Sequence, residues 1–268
     1  MKLRIDHATT YSFAAPVPYG LQQLRLTPKS RDGQRIAEWT LEVTGGRVEA
    51  EFTDQHANVV TLVALDPGAT EVRLHCQGTV ETEDRGGVVG AQKGFVPLWL
   101  FKRSTELTRA GPNVRTLAKG VKEEAGDDLG ILHALSARIL DRVPYRLGET
   151  DAGTTADAAV EAGQGGVCQD HAHIFVAAAR ALDYPARYVS GYVKLEDREA
   201  QDAAHAWAEA HVPHLGWVGF DVSNGISPDA RYVRVATGLD YRGAAPISGI
   251  RLGDAAETMD VAIRVAQQ

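Results

Sequence analysis

Along the first eighty residues, apolar and polar positions alternate with a period near two. The runs LRIDHATTYSF (3–13), GLQQLRLTP (20–28), AEWTLEVTG (37–45), NVVTLVAL (58–65) and TEVRLHCQGTV (70–80) carry the pattern. A period of two places one set of side chains on one face of a strand. Turn signals separate the runs: Pro16 and Pro18, Asp32-Gly33, Gly45-Gly46 and Asp66-Pro67-Gly68. Short strands at this spacing predict a small β-sandwich over residues 1–83. Residues 84–94, DRGGVVGAQKG, lose the alternation and gain glycine. They are expected to form a linker to a second domain over 95–268.

The period then becomes helical. Asp127 or Asp128 can cap a helix whose apolar positions are Leu129, Leu132, Leu135, Ile139 and Val143, with Pro144 ending it. Thr155 can cap a short helix through ADAAVEA (156–162), which Gly163 stops. Strand-like runs follow at ARYVSGYV (186–193), AHAWAEAHV (204–212) and WVGFDVS (217–223), with further strands in the tail at YVRVATG and MDVAIRV. Helices followed by strands predict an α+β second domain.

Composition narrows the function classes. The chain has 268 residues and a formal net charge of −7, with no long basic run. A nucleic-acid partner is not expected, because phosphate-backbone binding depends on clustered Lys and Arg. No stretch approaches the ~20 apolar residues of a membrane span. The N-terminus carries charges throughout and does not read as a secretory signal. The expected compartment is therefore the cytoplasm, with no membrane partner. There the two cysteines, Cys76 and Cys168, are expected to be free thiols. Cys76 follows Val72 and Leu74 on one strand face and reads as a small buried hydrophobe.

Cys168 has a different setting. In GQGGVCQDHAHIFVAAARALDYPARYVSGY (163–192), a glycine-rich turn delivers it into the start of a helix with apolar positions at Ala172, Phe175, Val176, Ala179 and Leu182. Cys168 could be a core residue, a metal ligand, half of a disulfide or a nucleophile. A helix N-terminus presents unpaired N–H groups and partial positive charge, which stabilise a thiolate and can hold an oxyanion. Further on, HAWAEAHVPHLGWVGFDVSNG reads as a β-hairpin. Folded symmetrically about residue 213, it sets His205 opposite Asp221. Opposed side chains stand ~4.5–5.5 Å apart at Cβ, close enough for a carboxylate to orient an imidazole base. A slip of one residue would send the two to opposite faces.

Together, GVCQDHAHIFVAAARALDYPARYVSGY, HAWAEAHVPHLGWVGFDVSNG and RYVRVATGLDYRGAAPISG resemble the bacterial transglutaminase-like proteins. The resemblance implies a papain-like core, a helical part plus an antiparallel sheet, preceded by a small β domain. It implies a triad with Cys168 as nucleophile, His205 as base and Asp221 as orienter. Two positions depart from the family pattern. His171 stands where Phe is expected after CQD, and FDVSN replaces FDPTN.

The rival constellations are weaker. His171 and His173 are two residues apart on a helix and point to different sides. His205 and His211 are six residues apart, about 20 Å along a strand. No calcium-loop pattern occurs, so neither a metal nor another cofactor is expected. Gln164 and Gln169 are candidate side-chain oxyanion donors, with loop roles the simpler reading. Trp207 and Trp217 are expected near the triad, as packing residues or as walls of an acyl-donor slot. The expected function is thiol-dependent acyl transfer on an amide or peptide bond through a thioester. Hydrolysis by a cysteine protease or amidase is favoured over transamidation of protein glutamine. The contrasting expectation is a non-catalytic peptide-binding module on the same fold.

Overall fold

The computed structural model describes residues 1–93 and 96–268. The N-terminal part contains β1 (Lys2–Val17), β2 (Gly20–Leu24), β3 (Gln34–Thr44), β4 (Gly46–Thr53), β5 (Val59–Leu65) and β6 (Ala69–Thr82). The helical part contains α1 (Pro112–Ala118), α2 (Val121–Glu124), α3 (Asp128–Arg142), α4 (Ala156–Ala162) and α5 (Cys168–Ala181). Strands β7 (Val88–Gly90), β8 (Ala186–Val193), β9 (Ala200–Gln201), β10 (His205–Val212), β11 (Gly216–Phe220) and β12 (Tyr232–Gly238) lie around it in sequence. The short helix α6 (Tyr241–Ala244) and strands β13 (Ile247–Arg251) and β14 (Glu257–Gln267) complete the chain.

Three antiparallel sheets result. Their orders are β3-β6-β1-β14-β9, β13-β2-β5-β4 and β12-β8-β10-β11-β7. The first two form the predicted sandwich. Phe13, Val72, Leu74 and Cys76 of one sheet pack against Leu24, Val63 and Leu65 of the other. The far end of the first sheet instead meets the third. Leu3, Ile5, Val80, Ile263 and Val265 pack on Tyr192 of β8 and Val233 of β12. The α+β class with an N-terminal β-sandwich is thus observed.

Two expectations about chain organisation change. Residues 95–268 were expected in one core, yet β14 pairs with β1 and β13 with β2, inside the sandwich. Alternation in VAIRV identified a strand but not its partner. Ile263 and Val265, the buried positions of that alternation, fit the apolar seam between sheets. The expected linker 84–94 contains β7, which adds to the edge of the third sheet beside β11. Its last residue, Gly94, and Phe95, where the core was expected to begin, lie outside the described residues.

The helical part forms as its caps dictate. The Asp127 side chain accepts from Gly130 N at 2.7 Å and that of Thr155 from Ala158 N at 3.3 Å. Gly163 ends α4 at φ 58°, a left-handed conformation that suits glycine. Every residue of α5 from Asp170 to Arg180 is buried. A helix enclosed on all sides is a central one. It packs on α1, α3 and α4, and on β10 through Ala208, Ala210 and Val212. Arg180, buried in this helix, donates to the carbonyls of Phe101, Ala186 and Leu239 and to Thr108 Oγ1. One guanidinium therefore fastens the helix to segments far apart in sequence. Among the described residues, no helix is long and apolar enough to cross a membrane.

Candidate active site

Cys168 is the first residue of α5, part-exposed, and free of any disulfide, as is Cys76. Two contacts fix this helix start. Asp170 Oδ2 accepts from Val167 N (2.8 Å) and from Thr150 Oγ1 (2.6 Å), closing the first turn with a buried carboxylate. Asp170 thus caps the helix start. The glycine segment is paired as well, with Arg146 N donating to Gly166 O (2.9 Å) and Gly166 N to Pro144 O (3.1 Å). A Cβ on Gly166 would lie 3.0 Å from Asp170 Cβ, so glycine permits the cap to close. The first intrahelical bond runs from His171 N to Val167 O. The N–H groups of the preceding turn therefore point outward beside Cys168.

His205 opens β10, and Asp221 directly follows β11. His205 Nε2 donates to Asp221 Oδ2 at 2.6 Å, and the carboxylate is fully buried. That leaves Nδ1 free of Asp221, and Cys168 lies close enough to act on the charge of the ring. The three predicted residues are thus brought together, by a register different from the expected one. Val212 pairs with Gly216 and Ala208 with Phe220, so the hairpin is centred on residue 214, not 213. His205 does not oppose Asp221; they are diagonal neighbours. The turn holds three residues, Pro213 to Leu215, with His214 at φ 67°. Moving the centre by one shifts the pairing by two, which keeps both side chains on one face. Asp221 then leaves the ladder and bonds across a tight loop to Ile226.

Charge is strongly organised here. Burial opposes a cationic ring at His205, but the hydrogen bond and charge of Asp221, and then the neighbouring Cys168, outweigh it and raise its pKa to about 10. Burial also opposes a charged Asp221. The bond and charge of His205, with bonds from Tyr232 and Asn224, hold it below the usual carboxylate range. The Tyr232 hydroxyl donates to Oδ2 at 2.7 Å and Asn224 Nδ2 to the same oxygen at 2.7 Å. Neither residue was singled out in the sequence. Asn224 follows Asp221 by three residues, a spacing at which an Asx side chain closes a local turn, so a signal was present. Tyr232 arrives from β12 and had none.

The two departures from the family pattern meet in space. Ser223 Oγ lies 2.8 Å from His171 Nδ1, while His171 Nε2 donates to Val143 O at 2.7 Å. Burial pushes this ring's pKa down, so it is neutral and accepts from Ser223. His171 ties the start of α5 to the end of α3 and to the loop carrying Asp221. Both ring nitrogens are engaged, and neither is available to a metal. His173 Nε2 accepts from Tyr241 N at 3.0 Å on another side of the helix. Gln169 Nε2 donates to Ala152 O at 3.3 Å, a loop role.

Trp207 stacks on the His205 ring, with centroids 6.2 Å apart, and Tyr232 stands edge-on to Trp207. It is a packing residue that encloses the imidazole. Trp217, expected close by, belongs elsewhere. It packs against Phe101 and the Arg187 guanidinium and opposes His211, about 20 Å along the strand from His205.

Comparison with known proteins agrees with this architecture. The transglutaminase-like superfamily matches residues 115–222, and the bacterial transglutaminase-like N-terminal region matches residues 3–81. An uncharacterized protein of Mycobacterium tuberculosis is 34% identical over 275 residues, covering 93% of this chain and 87% of that one. Another from Mycobacterium leprae is 28% identical over 281 residues, covering 99% of each. A Cytophaga hutchinsonii crystal structure, described as a candidate cysteine protease, has the same fold. Its TM-score is 0.79 at 24% identity, over 100% of this chain and 91% of that one. The chain therefore belongs to the transglutaminase-like superfamily, in the form that carries the bacterial N-terminal β region.

Proposed function

We propose that the protein is a thiol-dependent acyl-transfer enzyme that cleaves an amide or peptide bond, with Cys168, His205 and Asp221 as its triad. The observation that carries this reading is the buried 2.6 Å bond from His205 to Asp221, with a cysteine at a helix start beside the same ring. His205 Nδ1 takes the proton of Cys168, and the sulfur attacks the carbonyl carbon. The resulting oxyanion is held by N–H groups of the first turn of α5. The imidazolium gives its proton to the leaving amine as the C–N bond breaks, and a thioester remains. His205 then takes a proton from water, which attacks the thioester and releases a carboxylic acid and the thiol. Asp221 keeps the ring in the tautomer these transfers need. Peptides or proteins are the proposed substrates, and a cytoplasmic setting would keep the thiol reduced.

A peptide-amide library, followed by intact-mass analysis, tests the proposal. A hydroxylamine-sensitive acyl adduct on Cys168 and release of acid products are expected. Product formation only with an added primary amine would make the enzyme a transamidase. Saturable peptide binding with no adduct and no product would make it a binding module.

A further inference from the structure

A second buried polar cluster lies on the face of the third sheet turned away from α5. Glu209, fully buried at the middle of β10, accepts from Arg187 Nε (2.6 Å), Arg234 Nε (2.8 Å) and Arg234 Nη2 (3.1 Å). One carboxylate thus serves two guanidinium groups. A third, Arg31, comes from the β domain. The backbone of the Asp32-Gly33 turn fixes it, with Arg31 N and Gln34 N bonded to each other's carbonyls at 2.8 and 3.0 Å. The Gln34 amide grips both backbone groups of Arg234, at 2.9 Å each. The turn is therefore anchored to the core sheet.

Between these parts is a cavity of about 60 Å³, lined by Arg31, Gln34, Trp207, Glu209, Tyr232 and Arg234. Arg31 Nε is buried and has no hydrogen-bond partner among the described residues. Burial and the neighbouring Arg234 disfavour its charge, Glu209 opposes them, and Arg187 adds to the repulsion. Of the other carboxylates of the wall, Asp32 is engaged by Lys93 and Asp229 by Arg231, at 2.7 Å each. Glu83 and Arg85 stand exposed at the rim with opposite signs. A half-buried guanidinium facing two others, with its Nε shielded from solvent and without an acceptor, is costly unless an anion completes it.

We propose that this cavity binds a small oxyanion, an inorganic phosphate or a carboxylate, on the Arg31 guanidinium. The planar fork of arginine matches either group. The site is distinct from Cys168 but adjoins the triad's supports. Trp207 and Tyr232 line the cavity, while Trp207 stacks on His205 and Tyr232 bonds Asp221. An anion there would brace these supports from behind.

The test uses the full chain carrying Cys168→Ala, so that binding is read without reference to catalysis. Thermal unfolding and titration calorimetry are run with inorganic phosphate, with acetate and with chloride at matched ionic strength. Phosphate or acetate is expected to bind at one site and to raise Tm by a few degrees at saturation; which of the two does so identifies the ligand chemistry. Adding Arg31→Met should abolish the response and raise Tm in chloride, because it removes an unpartnered charge. Arg31→Lys should weaken it. A parent protein that responds equally to all three anions, or without saturation, would overturn the proposal. So would an undiminished response in Arg31→Met. If neither variant folds, the stoichiometry and anion preference of the parent decide alone.

Discussion

The molecule contains two cysteines, each with a histidine and a tyrosine nearby, and the environments are opposite. Cys76 lies in the middle of β6, fully buried, and pairs across the sheet with His7. The Tyr192 hydroxyl is 3.7 Å from Cys76 Sγ and 2.8 Å from His7 Nδ1. Burial pushes the Cys76 thiol up to about 12 and the His7 ring down to about 4. Both groups are neutral. Cys168 stands at a helix start beside a histidine raised to about 10. Both histidines are largely buried, so burial does not separate the two sites. The difference is a buried carboxylate. Asp221 touches His205, whereas among the described residues His7 bonds only the hydroxyls of Tyr192 and Thr9. A cysteine and a histidine in proximity make a packing pair at Cys76; the proposed nucleophile, Cys168, has in addition a carboxylate on its histidine and a helix start beneath it.

The strongest way to break this contrast is to exchange the cysteines' fates. Cys168→Ala should abolish acyl-adduct formation with little change in Tm, since the residue sits at a helix end. Cys76→Ala should retain activity and lose stability. In the parent protein, iodoacetamide at pH 6 should label Cys168 at least about a thousandfold faster than Cys76, because only a thiolate reacts. Peptide mapping of the alkylated protein measures both rates. Equal, slow labelling would remove the distinction.

The next effect belongs to the carboxylate. Asp221→Asn keeps the shape but favours the wrong ring tautomer. In a serine-protease triad the equivalent change costs ~10⁴ in turnover. A thiol ionises more readily, so a loss of ~10–1,000-fold in kcat/KM is expected here. His205→Ala should cost more, because it removes the proton carrier and the cation beside the thiolate. If Asp221→Asn left kcat/KM and the alkylation pH profile unchanged, Asp221 would not be what separates the sites.

How much of this was legible in the sequence depends on how local each signal is. The caps at Asp127 and Thr155, the helix start at Cys168 and the strands expected at 186–193 and 204–212 all rest on residues within one turn or one period. Each of these elements appears where its signal lies. The shared face of His205 and Asp221 was legible, because alternation fixes parity. Their register was not, since nothing marks His214 as the left-handed residue of a three-residue turn. Strand β4 was missed because nearly all its positions are exposed and no buried stripe marks it. The sheet partners of β13 and β14, and the approach of Tyr232, depend on contacts hundreds of residues or whole strands away. The meeting of His171 and Ser223 is of the same kind. Each was noticed as a departure, but only the fold joins them.

A pH titration of stability sharpens the comparison. For His7, the folded value of about 4 lies below the ordinary 6.5, so unfolding takes up a proton between them. Its burial should cost stability progressively as pH falls from 6.5 towards 4, by up to about 3 kcal/mol. For His205 the folded value of about 10 lies above 6.5. Its contribution is complete below 6.5 and is lost as pH rises towards 10 and beyond. Urea unfolding across this range should show both limbs. His7→Gln should flatten the acid limb alone and His205→Gln the alkaline limb alone. If both variants changed the same limb, the two histidines would not be opposites.

The smallest expected effect probes the carboxylate's own support. Asp221 Oδ2 accepts from His205, Asn224 and Tyr232. Tyr232→Phe removes one of these donors while leaving the ring that stands against Trp207. A hydrogen bond to a charged group contributes about 1.5–3 kcal/mol, but the carboxylate keeps two other donors, so about 1 kcal/mol is expected to be felt. That corresponds to roughly a fivefold loss in kcat/KM. The sign of the pKa change separates this from simple loosening. With one competing donor gone, Asp221 becomes a stronger acceptor for His205, and the alkaline limb of the kcat/KM profile should move to higher pH. Tyr192→Phe, the corresponding change beside Cys76, should leave that profile where it is. A profile that moved in Tyr192→Phe, or stayed fixed in Tyr232→Phe, would show that Tyr232 acts only as packing, and that the buried carboxylate is held by His205 and Asn224.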